Sequence, residues 1–457
     1  MSNQVAVKPE VTYLDQLLHE ARGGVSRIVP PEFALDAQTA AWLQQVRDHA
    51  ATWVRELAIP TKRDEEWRFT DLSKLLEVNF AGALPEPPEP ADVPIELLML
   101  PEASDSRLVF VNGVFAPKLS SLTGLPEGVF VGNLGQLPAN ERQRLGEYLA
   151  KQPGAQEVFT ALNTAGLTDA AVVWVAKNQA VEVPVHLLFV SVTGEVPVFV
   201  QPRCLVVAEA GSALTLVEHY ATAAQGCPDV STAHPYFTNA VTEIWAQENA
   251  SVVHLRIQRD GGDAFHIGKT AVSQARNSRY ACHAVSLGGK LSRHNLEVFQ
   301  TGEATDTALY GLTMLAGEQL GDTHSTIALN HPHGTTNQLH KCIVDDRAHA
   351  VFNGKVFVPK PAQLTNAAQL NRNLLLSPKA RVDTKPQLEI TADNVKCSHG
   401  ATVSQLEADE VFYLQSRGLD REASCNLLMD AFAGEIIQQL PVVSLRKMLS
   451  QCVACRS

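Results

Sequence analysis

The sequence predicts a mainly β chain whose core lies between helical regions at the two ends, and three observations carry that prediction. From about residue 170 to about residue 400, short β-prone runs follow one another, and no helical pattern of ten residues interrupts them. Alternating βα units would place helices between the strands, so a doubly wound sheet is excluded and a sandwich, barrel or solenoid remains. Turn-like polar stretches also recur through this region: "EAGSALTLV", "QENASVVHL", "QARNSRYAC", "GEATDTALY", "GDTHSTIAL", "DDRAHAVFN" and "SPKARVDTK". Their loose repetition, near about twenty residues or a multiple of it, fits the coils of a β-helix in which each rung stacks on the next. Finally, amphipathic helical patterns stand before and after the β-rich region, where a solenoid needs caps.

Taken in order, residues 1–84 read as an N-terminal helical region. "TYLDQLLHEA" and "QTAAWLQQVRDHAATWVREL" carry apolar residues at helical spacing, and the charge-dense "TKRDEEWRFTDLSKLL" continues the helical reading. Residues 85–168 read as a linker followed by a mixed α/β region. "PEPPEPADVP" is too rich in proline for a helix. In "RLVFVNGVFAP", Asn112-Gly113 between two β-prone runs signals a hairpin. "PANERQRLGEYLAKQ" and "EVFTALNTAG" read as helices. Residues 169–405 form the β core and 406–457 a C-terminal helical domain. In that domain Asp420 is placed to cap "REASCNLLMDAFAGEIIQQL", and Leu427, Leu428, Phe432 and Ile436 share one apolar face.

The chain carries 37 basic and 49 acidic residues, a net charge of −12. That balance argues against a phosphate-held nucleic-acid partner and against an anionic membrane surface. No apolar run reaches the roughly 18 residues of a spanning helix, and the N-terminus has neither a signal-peptide nor a transit-peptide pattern. The expectation is a cytoplasmic protein with reduced thiols. Cys452 and Cys455 form a lone CxxC without partners for a closed zinc site, and read as a frayed helical tail.

Nucleotide motifs fail. "GGDAFHIGKT" has five residues between Gly262 and Gly268 where a P-loop has four, and a β-like run follows it. Histidine is the stronger signal, since "HSTIALNHPHGTTNQLHKC" holds His331, His333 and His340 beside Cys342. Imidazole and thiolate are ligands of zinc, iron and copper, and His331 and His333 on one strand face would chelate together. The alternative is that each is hydrogen-bonded within a turn or on a polar face. In "NVKCSHGATV", Cys397 and His399 have the i, i+2 spacing that puts both on one face of a strand. A thiol beside an imidazole can lose its proton and bind soft metals or sulfur. The other reading is a buried cysteine beside a solvent-facing histidine.

"RDEEWRFTDLSKLL", "HPHGTTNQLHKCIVDDRAHAVFNGKVFV", "QLNRNLLLSPKARVDTKPQLEI" and "KCSHGAT" with the helical segment after it resemble the SufB/SufD family of iron–sulfur cluster assembly proteins, and its SufD branch in particular. The resemblance implies a right-handed parallel β-helix core flanked by α-helical N- and C-terminal domains. It implies a non-enzymatic scaffold in the SufBCD complex, paired with a SufB-like paralogue and bound to a SufC-like ABC ATPase through the C-terminal helices. Iron or a nascent cluster would be held transiently at the interface, with no tightly bound cofactor in this subunit and with reduced flavin possible in the complex. His399 matches the histidine that faces the paralogue's essential cysteine, with Cys397 its neighbour. Asn371 stands where the paralogue carries that cysteine. A metal-dependent all-β enzyme using the central histidines is the alternative, and a homodimer is possible in isolation.

Overall fold

The computed structural model describes residues 12–23, 33–82, 93–223, 231, 232 and 234–455. Cys227 and most of the proline-rich stretch at 85–94 lie outside the described residues.

From Ala171 to Gln405 the strands alternate between two sheets, except that Val198–Val200 and Arg203–Ala208 follow one another in the first, and each strand pairs in parallel with one a turn later. The result is a parallel β-helix of about eight turns. The first sheet ends at Arg381–Ile390 and the second at Lys396–Gln405. Pairing is in register throughout: His340 lies over Gly311, Asn371 over His340 and Ala401 over Asn371. In-register parallel stacking preserves side-chain parity, so a residue facing the bore in one turn lies over another that does the same.

One corner of every turn is set by a single left-handed residue: Asn178, Gly211, Asn249, Asn277, Ala304, His333 and Leu364, all with positive φ. Each donates its backbone N–H to a carbonyl of the next turn, as Asn249 does to Arg276 and His333 to Gln363. Asparagine tolerates this conformation, and Asn277 Nδ2 also bonds Asn249 Oδ1 at 3.2 Å. These corners recur roughly every 30 residues. The turn-like stretches in the sequence come from both corners of the coil, and this is why their spacing looked ragged and shorter.

Helices pack on the two outer faces. Against the first sheet lie α1 (Tyr13–Gly23), α2 (Ala37–Glu56), the single turn α3 (Ser73–Leu76), α4 (Ala139–Tyr148) and α5 (Val158–Ala165). Against the second sheet pack α7 (Arg421–Ile437) and α8 (Val443–Cys455), while α6 (Ala408–Ser416), with no buried residue, contacts α7. Asp420 caps α7 by accepting from the Ala423 N–H at 2.8 Å. The hairpin forms as its sequence implies, Arg107–Val111 pairing antiparallel with Val114–Phe115 through Asn112 and Gly113 at positive φ.

The helical expectation fails for 61–76. Only Glu65–Trp67 and Ser73–Leu76 make a turn of helix. The charges of this segment reach across to the solenoid instead of along a helix, as described below. The CxxC also departs from expectation: Cys452 is buried in the core under α8 while Cys455 is exposed, so this helix end is packed rather than frayed.

The bore is apolar for much of its length but holds an ionised network in its middle turns. Glu218 accepts from Tyr220 at 2.5 Å, Thr242 at 2.9 Å and His254 Nε2 at 3.0 Å, with no exposure of its carboxylate to water. Arg256 lies over the Tyr220 ring and donates to His266 Nε2 at 2.7 Å. His266 Nδ1 in turn donates to Asp260 at 2.9 Å. Gly268 makes room for this, since a Cβ there would stand 2.4 Å from the Arg256 guanidinium.

Burial alone would lower the His254 pKa, but Cys282 and Glu218 outweigh it and lift the imidazole to about 9. Burial would likewise raise Glu218, and its hydrogen bond and charge pairing with His254 hold it low instead. The histidine's contribution to stability is therefore complete below the unfolded value of about 6.5 and is lost as pH rises through about 9. The glutamate's contribution is complete above about 4.3 and is lost as pH falls through its lowered value. Glu218→Ala leaves His254 buried without its carboxylate and is expected to cost about 3–5 kcal/mol in denaturant unfolding at pH 6. A loss below about 1 kcal/mol would show that the network is not ionised.

Candidate interface site at the open end of the solenoid

The terminal turn, Arg381–Ile390 with Lys396–Gln405, is paired only on its inner side. Pro386, which has no N–H to donate, sits in this edge turn, where proline is tolerated. In the second sheet Cys397 lies over Ala367 and His399 over Gln369. Ala367 and Gln369 are buried in the bore, so Cys397 and His399 share the inward face, as their spacing implies. With no further turn above them, that face looks out through the end of the bore. His399 is exposed, and Cys397 is half-buried against the last apolar residues of the interior.

Burial pushes the Cys397 thiol up, against the smaller opposing effect of the Ala367 N–H. Asn371 is fully buried one turn below. It donates to the His340 carbonyl at 3.1 Å and accepts from Thr384 at 2.8 Å and Asn373 at 2.6 Å.

The three central histidines do not converge. His331 and His333 lie in the corner turn before Thr335–Val344 rather than on a strand, and His333 is the left-handed residue of that corner. His340 is in the bore, bonded to Thr313 at 3.1 Å, and burial lowers its pKa to about 3. Its ring occupies the space over Gly311, where a Cβ would stand 2.0 Å from Nδ1. Among the described residues no group of three His, Cys, Asp or Glu side chains is arranged to hold a metal ion.

The apolar face of α7 is divided. Ile436 is fully buried against the second sheet, and Phe432 is half-buried with Lys341 4.1 Å from its ring centroid. Leu428 is half-buried, while Leu427 is 49 % exposed. The exposed apolar surface extends instead onto α6, where Phe412 and Tyr413 are 71 % and 58 % exposed, and to Leu419. The sequence reading missed Phe412 and Tyr413 because α6 is short and has no strong periodicity.

The segment around Glu65–Trp67 also escaped a role in the sequence reading. It straps across the outer face of the first sheet. Glu65 pairs with Lys385 at 2.5 Å, Glu66 with His324 Nδ1 at 3.2 Å, Trp67 lies 3.8 Å from Arg293, and Thr70 donates to Asp322. Lys385 belongs to the terminal turn, so the strap reaches the open end. Beside it is a cleft of about 640 Å³ lined by Trp67, Phe159, Lys269, Glu297 and Lys355, among others. Its lysines are both paired, Lys269 with Glu157 and Glu297 and Lys355 with Glu389, so neither is left free to select an anionic ligand.

Comparison with known proteins decides the family. Residues 189–432 match the SufBD core domain of the SUF system for FeS cluster assembly, and residues 32–187 match the SufBD N-terminal region. The chain belongs to the SufBD family of iron–sulfur cluster assembly proteins. It is 55 % identical over 411 residues to a SufBD family protein of Synechocystis, covering 90 % of each chain. It is 35 % identical to the chloroplastic protein ABCI7 of Arabidopsis thaliana, over 96 % of this chain and 90 % of the relative. It is 30 % identical to SufD of Escherichia coli, over 87 % and 88 % of the two chains. The SufBD core match ends within α7, so it takes in the terminal turn, and the SufBD N-terminal match includes the strap. No helix among the described residues is long and apolar enough to cross a membrane.

The strap carries a pH dependence. Burial would lower the His324 pKa, but Asp322, with help from Glu66, raises it. A raised folded pKa means that the His324 contribution to stability is complete below about pH 6.5 and is lost as pH rises through the folded value, and its bond to Glu66 is the part that acts on the strap. Tryptic cleavage after Arg63 and Arg68, taken as the ratio of His324→Ala to wild type, is expected to exceed one at pH 6 and to fall toward one as pH rises. An unchanged ratio would show that the strap does not depend on a charged imidazole.

Proposed function

We propose that this chain is a non-enzymatic scaffold subunit of a cytoplasmic Suf-type complex, in which its terminal turn pairs with a SufB-like paralogue and its C-terminal helices dock a SufC-like ABC ATPase. The observation that carries the reading is the unpaired last turn with His399 and Cys397 facing out of the bore. An unpaired sheet edge is a ready template for strand addition from another chain. A site shared between two chains needs only one or two ligands from each. His399 supplies an imidazole for iron or a nascent cluster, which is cargo here rather than a resident cofactor, and the paralogue supplies the thiol. Asn371 occupies the position of that thiol in this chain and is consumed by hydrogen bonds within the bore.

The ATPase surface is the exposed apolar strip of Phe412, Tyr413, Leu419 and Leu427, with Leu428 and Phe432 at its margin and Ile436 behind it in the core. An enzyme built on the central histidines is disfavoured by their placement, since His254, His266, His294 and His340 are enclosed in the bore.

Co-expression with SufB-like and SufC-like partners tests the proposal. His399→Ala is expected to co-purify with both partners and to slow cluster formation by at least about tenfold, with Cys397→Ala milder. Normal cluster formation in an intact His399→Ala complex contradicts the role. Phe412→Asp combined with Leu427→Asp is expected to lose the ATPase and keep the paralogue. Retention of the ATPase would mean that the docking surface lies elsewhere, and assembly of this chain only as a homodimer would contradict the pairing.

A further inference from the structure

The bore beneath His399 holds a hydrogen-bonded chain of amides whose last acceptor is unused. Gln338 donates its Nε2 to the Ser325 hydroxyl at 2.7 Å, and Gln369 donates its Nε2 to Gln338 Oε1 at 2.8 Å. The Gln338 oxygen is occupied by Gln369. The Gln369 oxygen is buried and has no hydrogen-bond partner among the described residues. Gln369 is only 3 % exposed, and the residue directly over it in the terminal turn is His399.

We infer that Gln369 is a positioning residue for His399, accepting one imidazole N–H through its side-chain carbonyl so that the other ring nitrogen is presented unprotonated at the interface. The inference rests on the reading of His399 as an iron or cluster ligand and adds the group that orients it. A buried acceptor without a donor is costly, so the amide oxygen favours a ring N–H above it. Histidines that ligate metals commonly donate their second N–H to a carbonyl or carboxylate, which fixes both tautomer and ring orientation.

The amide has little freedom to turn away. A Cβ on Gly354 would stand 2.3 Å from Gln369 Nε2, so the glycine supplies the space in which the amide lies. The second unmet acceptor nearby, Asn373 Oδ1, lies under Val403, which carries no side-chain donor. Of the two unmet oxygens, only Gln369's has an imidazole over it.

The test begins with the full-length chain, selectively ¹⁵N-labelled at histidine, with the His399 ring signals assigned by their loss in His399→Ala. In wild type the neutral ring is expected to be a single tautomer. In Gln369→Leu it should relax to the mixture seen for a free imidazole. In the assembled complex, Gln369→Leu is expected to slow cluster formation by about tenfold with partner binding intact. A wild-type tautomer mixture that Gln369→Leu does not alter, together with loss of cluster formation in His399→Ala, overturns the positioning role and leaves the interface reading standing. Normal cluster formation in His399→Ala overturns the reading on which the inference rests.

Discussion

Every turn of the solenoid is hydrogen-bonded to the turns on either side of it except the last, and the rest of the molecule is arranged around that discontinuity. Parallel in-register stacking is self-propagating: each strand leaves an edge that the next one satisfies. Where the chain stops winding, at Arg381–Ile390 and Lys396–Gln405, the backbone edge and the inward side chains face outward together. His399 is exposed because it lies on the bore-facing side of a turn with nothing over it. Its chemical availability and the unpaired edge have one cause.

The two helical regions leave this end uncovered. The N-terminal helices pack on the outer face of the first sheet and the C-terminal helices on the outer face of the second, so among the described residues neither crosses the mouth of the bore. Both are nevertheless tied toward it. The strap reaches the terminal turn through Glu65 and Lys385, and α7 is anchored on the penultimate turns by Glu435, which meets Lys341 and Arg372. A partner pushing on α6 and α7 would therefore act on strands directly beneath the candidate site. The ionised network around Glu218 and His254 lies deeper in the bore, among turns paired on both sides.

Much of the fold was legible in the sequence because it follows from local chemistry. Helical spacing marked α1, α2, α4, α5 and α7, Asn112-Gly113 marked the hairpin, and the long run of β-prone segments marked the solenoid. The period was not legible, because the left-handed corner is filled by Asn, Gly, Ala, His and Leu in different turns and only the asparagines and the glycine announce it. The polar bore was hidden for a different reason. Glu218, His254 and Gln369 alternate along their strands just as solvent-facing residues do, and only the stacking of one turn on another puts them inside. The same constraint hid Ile436, whose place on an amphipathic face said nothing about which neighbour covers it. His331 and His333 read as a ligand pair only while they were assumed to lie on a strand. The candidate site itself was legible as a motif, since Cys397 and His399 do share a face, but neither the open bore end nor the amide beneath His399 could be read from spacing.

Amide hydrogen exchange along the two terminal strands tests the central claim most directly. In the free chain, the outward-facing amides of Arg381–Ile390 and Lys396–Gln405 should exchange much faster than those of Asn366–Leu375, and they should become protected when the SufB-like paralogue is bound. Equal slow exchange in the free chain, or a bound complex in which the protection appears elsewhere and the terminal turn stays open, would contradict a turn completed by another polypeptide.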